Sequence, residues 1–505
     1  MDFLSLAVLI FAPILIAGIV ASPIFPSSDI LIRRFVKGFS VIHLLYSLSF
    51  LMFYNPNTDK IAFFKEIPIY GGQWLESLGI SISFGVDGIG LLLVVMTSFL
   101  FLLAFMASKN VIKHNVRLYY SLMLVLMSTV LGVFCSQDMF LFFLFWELEL
   151  IPMYFLISKW GTGNAQKSAM KFVLYTFFGS IFILFGIFCL YFSNVDTATQ
   201  MSASFLQIKM GKDLYPIWFQ YVIFFCFLIG FGVKLPIFPL HTWLPSAHTD
   251  APTPVSMILA GILLKMGAYG LIRFNIEILP AIFEVVAPLL LLLGAINILY
   301  SGIIAFSQKD IKKIIAYSSI QHMGIVLIGL GALNEIGFNG AIFQIFAHGI
   351  IAAGLFFIVG IIAQKTKTRN IYELSGLGNK LPKLMILSYI PFLGAVGIPF
   401  LMGFVGEFLA ILGVFVSDFN LSLNLSITVC ALLGLVLSVG YMLYLFHKAF
   451  YGKDISSDVL VDINAEEITI LIMISLVLIF FGVCPMKLLD FVNTSLFLIS
   501  SIWQV

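Results

Sequence analysis

FCFLIGFGVKLPIFPLHTWLPSAHTDAPTPVSMILAGILLKMGAYGLIR, residues 225–273, decides how the rest of the chain is read. It holds two hydrophobic spans, each with a lysine in its apolar interior, Lys234 and Lys265. Between the lysines stand Pro236, Pro239, Pro245, Pro252 and Pro254. A lysine at bilayer depth costs roughly 2.5–3.5 kcal/mol even on lenient insertion scales. Proline breaks a helix, and a membrane tolerates the freed backbone only where protein or a wet cavity satisfies it. Buried charge beside a broken helix is the anatomy of an ion pathway. The stretch predicts a proton carrier.

The composition agrees. Of 505 residues 61% are hydrophobic and 10% charged, against about 25% charged in a soluble domain. An all-α polytopic membrane protein is expected, with the lipid bilayer as its main surroundings. The formal charge of +2 says nothing about partners, while the lack of a basic block argues against nucleic acid. Cys135, Cys189, Cys226, Cys430 and Cys484 are scattered, without metal spacing or a pairing pattern, and read as small apolar packing residues. The apolar run from Phe3 to Val20 lacks a positive leading region, so a retained first span is expected there.

A span needs about 20 apolar residues. Fourteen fit: 2–21, 35–54, 84–108, 115–134, 137–158, 168–192, 217–240, 254–274, 281–304, 312–330, 337–363, 383–413, 422–447 and 466–484. A last apolar piece, 487–503, follows a Cys-Pro break and can lie along the interface. Loop charge tests this map. Odd-numbered loops hold Arg33, Arg34, Lys37, Lys109, Lys113, Arg117, Lys159, Lys167, Lys171, Lys309, Lys312, Lys313, Lys365, Lys367, Arg369, Lys380, Lys383, Lys448 and Lys453. Even-numbered loops and the tail hold only Lys60, Lys65, Lys209, Lys212, Arg273 and Lys487. That bias puts the odd loops in the cytoplasm (or matrix or stroma) and both termini on the opposite, positive side. A bacterial inner membrane is the default location, an organellar inner or thylakoid membrane the alternative. The longer external loops, 55–83 and 193–216, do not read as domains, and 448–465 reads as a polar surface connector.

Span seven is interrupted at Lys234-Leu235-Pro236, and span twelve from Gly397-Ile398-Pro399 to Gly403. Interruptions at matching positions of two five-span halves point to inverted repeats. The expected divisions are 1–114 (spans one to three), 115–274 (first repeat), 281–447 (second repeat) and 466–505 (last span and tail). No phosphate-cradling Gly loop, cysteine cluster or dinucleotide fingerprint is present, so redox chemistry is not expected of this chain alone.

Each intramembrane charge has a structural alternative. Glu147 and Glu149 of span five lie two residues apart, about 200° around a straight helix, so only one faces a shared core. Glu147, behind the apolar run Met139–Trp146, is the deeper, while Glu149 suits a helix–helix hydrogen bond. Lys234 and Lys265 could be structural ion pairs. Lys265 lies some eleven residues into its span, roughly 16 Å at ~1.5 Å per residue, too deep to snorkel. Glu407 sits among helix-loosening glycines. His322 and His348 suit a relay near neutral pH, or a hydrogen-bonded core role. His241 and His248, flanking the cytoplasmic end of span seven, are weaker candidates for proton entry. His43 reads as structural, and Asp250 before Pro252 as a helix cap.

Bringing a lysine from about 10.4 to neutrality takes roughly 4–5 kcal/mol. Two unit charges ~4 Å apart at an effective dielectric near 20 interact by about 4 kcal/mol. One Glu–Lys contact, made or broken, therefore suffices to switch a buried lysine. The expectation is that Glu147 beside Lys234 holds that lysine protonated, and that its withdrawal sends the proton toward Lys265 and on to Glu407.

Three motifs carry a resemblance: FWELELIPMYFLISKWG at 145–161, FGVKLPIFPLHTWLPSAHTDAPTPVSMILAGILLKMGAYGLIRF at 231–274 and KKIIAYSSIQHMG at 312–324. They resemble the antiporter-like proton-channel subunits of respiratory complex I, NADH-quinone oxidoreductase, in particular the subunit M (chain 4) branch, over nearly the whole chain. The resemblance implies a fold of 14 transmembrane helices with two inverted five-helix repeats and broken helices seven and twelve. It implies a Glu147–Lys234 pair, a central Lys265 and a terminal Glu407, with Glu149, His322 and His348 as further polar axis residues. A carboxylate at the last position and a short tail are typical of that branch. No cofactor is implied in this chain. FMN, iron–sulfur clusters and quinone belong to partner subunits of the redox arm, and L-like and N-like antiporter subunits are the expected membrane neighbours. The resemblance also allows an Mrp-type cation/proton antiporter subunit or a membrane-bound hydrogenase subunit.

Overall fold

The computed structural model describes residues 3–55, 62–67, 75, 79–193, 203–205, 216–453 and 460–492. Most of the loops 55–83 and 193–216, and the end of the 487–503 piece, lie outside them. Twelve helices are long and apolar enough to cross a membrane. With Phe3–Ala21 and the two shorter helices of span twelve, the described residues hold the fourteen expected crossings.

The helices are α1 (Phe3–Ala21), α2 (Asp29–Phe53), α3 (Gly88–Val111), α4 (Val116–Cys135), α5 (Met139–Trp160), α6 (Ala165–Ser193), α7 (Ile217–Lys234) and α8 (Trp243–Asp250). They continue as α9 (Thr253–Ile276), α10 (Pro280–Ser307), α11 (Ile311–Gly331), α12 (Glu335–Thr366), α13 (Pro382–Val396), α14 (Met402–Phe415), α15 (Leu421–Phe450) and α16 (Ala465–Val483). Helices α9 and α12 are buried along their whole apolar length. Helix α6 instead turns Phe177, Phe178 and Phe185 outward. Without water in the bilayer core, an outward apolar face is the ordinary surface of such a protein, and burial marks the polar centre.

Several boundaries differ from expectation, span two beginning at Asp29 rather than residue 35. Span three starts at Gly88 rather than residue 84, because Asp87 caps it, its Oδ1 accepting from Gly90 N at 2.8 Å. The preceding Ile82–Val86 is instead β2, antiparallel to β1 (Ala62–Ile67), a pair the apolar pattern alone concealed. Asp250 does not cap α9. Pro252 holds that position without a side-chain bond, and Asp250 Oδ2 accepts from Ser168 Oγ of α6 at 2.6 Å. Cys484 is exposed at the end of α16, where the Cys-Pro break leaves it outside the packing.

Both interruptions are present. In span seven, α7 stops at Lys234 because Pro236 cannot continue the ladder, and α8 resumes at Trp243. In span twelve, α13 ends on Gly397 at φ +75°, a left-handed cap that glycine adopts without a Cβ clash. Helix α9 widens to π geometry at Leu259–Leu263 and Leu271–Ile276, on both sides of Lys265. Such widenings recur at functional sites. Helices α9 and α12 cross where Gly261 and Gly349 meet, a Cβ on Gly349 falling 2.9 Å from the Gly261 carbonyl.

Candidate functional site

Helix α5 is itself interrupted. Pro152 has no N–H for the Leu148 carbonyl four residues back, so the first helical segment ends at Leu148 and the second begins at Leu150. Glu149 sits at that joint, fully buried, and its Oε1 accepts from Lys234 Nζ. This corrects the expectation that Glu147 pairs with Lys234. The two carboxylates do face different ways, as about 200° of helix requires, but the one facing the core is Glu149 and the half-buried one is Glu147. Glu147 is half-buried, next to Ser180 and within electrostatic reach of Lys234. One ammonium thus faces two carboxylates.

Aromatic rings close the rest of the sphere. Lys234 Nζ lies 5.3 Å from the ring centres of both Trp146 and Phe172. Such contacts reach about 2 kcal/mol when desolvated. Trp146 is held in turn by its indole N–H, which donates to Ser180 Oγ at 3.1 Å. Lys234 also occupies the last turn of α7, where the helix dipole favours a cation.

The second group is a row of buried polar side chains across four helices. Lys265 Nζ on α9 lies 2.5 Å from the Ala260 carbonyl in the π stretch and 2.7 Å from His348 Nδ1 on α12. The His348 and His322 rings stand 5.4 Å apart. His322 Nδ1 on α11 lies 3.2 Å from Glu407 Oε1 on α14 and 3.0 Å from Gln344 Nε2. Lys265, His348, His322 and Glu407 are all buried. Gln344 belongs to this chain although its residue type gave no signal in the sequence. Its amide N–H₂ donates to that ring nitrogen when it is bare, and its Oε1 has no hydrogen-bond partner among the described residues. Glu407 also lines a cavity of about 340 Å³ with Phe404, Phe408 and Leu432.

His248 is fully buried, stacked on Phe356 at 4.5 Å, with neither ring nitrogen hydrogen-bonded. It lies within electrostatic reach of both Lys265 and Lys312. Lys312 Nζ donates to the Ala251 carbonyl at 2.9 Å, and both residues line a cavity of about 500 Å³ with Lys113, Lys367 and Arg369. The odd-numbered loops thus have a recess lined by basic side chains, with Lys312 between it and the electrostatic reach of His248. His241 is buried between Phe238 and Tyr300 and makes no contact with this chain of groups. His43 bonds the Leu9 carbonyl at 2.9 Å, a structural contact between α2 and α1.

Chemically, these are groups that give and take protons, strung through the middle of the bundle. Among the described residues no group of three or more His, Cys, Asp or Glu is placed to hold a metal ion.

Residues 136–438 match the family described as NADH:quinone oxidoreductase/Mrp antiporter, transmembrane. The chain is 40% identical over 488 residues to NAD(P)H-quinone oxidoreductase chain 4 2 of Thermosynechococcus vestitus, covering 96% of this chain and 89% of that one. It is 37% identical over 507 residues to the chloroplastic NAD(P)H-quinone oxidoreductase chain 4 of Physcomitrium patens, covering 99% of each. Among solved structures, a chain of respiratory complex I from Thermus thermophilus with bound NADH superposes with a TM-score of 0.86 at 25% identity, over 98% of both chains.

Proposed function

This chain belongs to the NADH:quinone oxidoreductase/Mrp antiporter membrane family, within its NAD(P)H-quinone oxidoreductase chain 4 branch, and from that premise we propose that it carries protons through its buried Glu/Lys/His axis. It is a multi-pass membrane subunit of a multi-subunit, proton-translocating quinone oxidoreductase of the complex I type. The observation that carries the proton reading is the buried row Lys265–His348–His322–Glu407, in contact at both ends and with the two imidazole rings 5.4 Å apart between them. The Glu149–Lys234 pair stands at the other end of the axis with Glu147 beside it, and this reading requires water to join α7 to α9.

In this reading the electrons run elsewhere. FMN, iron–sulfur clusters and quinone belong to partner subunits, and L-like and N-like antiporter subunits flank this one. Moving a proton against 100 mV costs about 2.3 kcal/mol, which charge rearrangement in the neighbouring membrane arm supplies. That is smaller than the ~4 kcal/mol of one Glu–Lys contact at an effective dielectric near 20, so remaking a single contact is enough to drive a step. Protons enter from the odd-loop side through the recess at Lys312 and His248. The membrane is a bacterial inner membrane, or alternatively a thylakoid membrane, with both termini on the positive side. An Mrp-type antiporter subunit fits only as a related branch of the family; a membrane-bound hydrogenase subunit is the second alternative.

The test is the whole assembly in sealed vesicles, with proton uptake measured per electron transferred. Lys265→Ala is expected to keep electron transfer and to lower pumping at least tenfold. Normal pumping in that variant removes the axis from the reading. A cysteine at Lys380 should react with an impermeant maleimide only from the cytoplasmic face; labelling from the other face reverses the orientation.

A further inference from the structure

The break in span seven frees backbone groups that no helix ladder takes up and that hydrocarbon cannot satisfy. Three of the last carbonyls of α7 find donors within the same span. Phe231 accepts from Leu235 N at 2.8 Å, Gly232 from Ile237 N at 2.8 Å, and Val233 from the Trp243 indole N–H at 2.8 Å. The Pro236 carbonyl and the Phe238 N–H are met from outside, both by Asn297 of α10. Its Nδ2 donates to the Pro236 carbonyl at 3.1 Å, and its Oδ1 accepts from Phe238 N at 2.7 Å. Those partners fix which end of the amide is which, since a carbonyl only accepts and an N–H only donates.

Asn297 is fully buried, in a run of Ala295, Ile296, Ile298 and Leu299. The gap needs one donor and one acceptor on a short stem, and an asparagine amide supplies both. Leucine, alike in shape, would leave two buried backbone groups bare. The amide also has a fixed base. Helices α10 and α11 touch so closely that a Cβ on Gly324 would stand 2.8 Å from the Gly294 carbonyl and 2.9 Å from the Asn297 Cβ. Lys234 is the last residue of α7, two positions before Pro236, and its Nζ donates to Glu149.

We propose that Asn297 is a positioning residue for Lys234. By gripping the break on both sides of Ile237, it holds the end of α7 where the Lys234 ammonium meets Glu149. The inference rests on the proton-carrier reading above, although Asn297 itself carries no proton. Without the grip, the Pro236 carbonyl and the Phe238 N–H turn toward other partners, and the end of α7 moves with them. The contact that switches Lys234 then loosens.

The experiment uses the whole assembly in sealed vesicles carrying Asn297→Leu, Asn297→Gln or Lys234→Ala, with proton uptake measured per electron. Asn297→Leu is expected to keep electron transfer and to lower pumping at least threefold. Asn297→Gln, which keeps the amide on a longer stem, is expected to regain at least half of that loss, a rescue that packing alone does not provide. In thermal unfolding, Asn297→Leu and Glu149→Gln together should cost less than their sum, because both act on one contact. If Asn297→Leu does not assemble, Asn297→Ser, too short to reach either backbone group, is read in its place. Wild-type pumping in the assembled variant, or additive unfolding losses, overturns the positioning role and leaves Asn297 a structural clamp. If Lys234→Ala abolishes pumping in the same series, the carrier reading stands even then; if it too pumps normally, the carrier reading itself has failed.

Discussion

The Lys265 ammonium on α9 and the His348 imidazole on α12 share one contact, Nζ to Nδ1 at 2.7 Å, at the middle of two helices with no lipid-facing side. The contact exists because Gly261 and Gly349 let the two backbones touch just beside it. A proton crossing it changes which helix carries the charge, from α9 to α12. On α12 the charge faces His322, and beyond it Glu407.

A charge that must be handed over cannot be permanent. Lys265→Arg keeps the positive charge and much of the volume, but a guanidinium does not release its proton in a protein. Pumping by the assembled variant should fall at least tenfold with electron transfer retained. Vesicle acidification per electron is the measurement, and near-normal values would show that Lys265 only balances charge.

Removing one member of the Glu149–Lys234 pair strands the other. Lys234→Ala or Glu149→Gln should each destabilise the assembly by about 3–5 kcal/mol, and the double variant Glu149→Gln/Lys234→Met by clearly less. Thermal unfolding of the purified assembly tests this as a double-mutant cycle. Additive losses would mean that Lys234 relies on Glu147 rather than Glu149.

Gly397 has two reasons to be glycine: φ +75°, and a Cβ that would stand 2.2 Å from Glu407 Oε2. Gly397→Ala should cost about 1–3 kcal/mol from the backbone alone. It should also push Glu407 off His322 and reduce pumping several-fold. Loss of stability with unchanged pumping would show that the Glu407 carboxylate has room to move.

Glu466 offers the contrast. It bonds Lys37 at 2.7 Å and Lys109 at 2.8 Å, and the two lysine side chains are 42% and 57% exposed. Exposed pairs contribute about 0–1 kcal/mol and are screened by salt. Glu466→Gln should change stability by no more than that and leave pumping untouched. A large pumping defect would place this triad in the transport path.

Much of this molecule was legible before any coordinates. Twenty apolar residues in a row can only cross a bilayer or be buried, so the crossings, their order and both broken spans followed from composition and from prolines whose effect is local. The intramembrane charges were visible for the same reason: in hydrocarbon each one is conspicuous. Less visible was β2, since Ile-Ser-Phe-Gly-Val reads equally well as the start of a span.

Partner choice belonged to the tertiary structure. Glu147 and Glu149 differ by two positions, and which one meets Lys234 depends on how α5 is turned within the bundle, which no periodicity reports. Gln344 joined the axis, and Asp250 left its cap for Ser168, by packing between helices far apart in sequence. Hydrophobicity is a property of each residue and so is written along the chain. A hydrogen bond between two buried groups depends on distances of a few tenths of an ångström between helices, and only the packed bundle sets those.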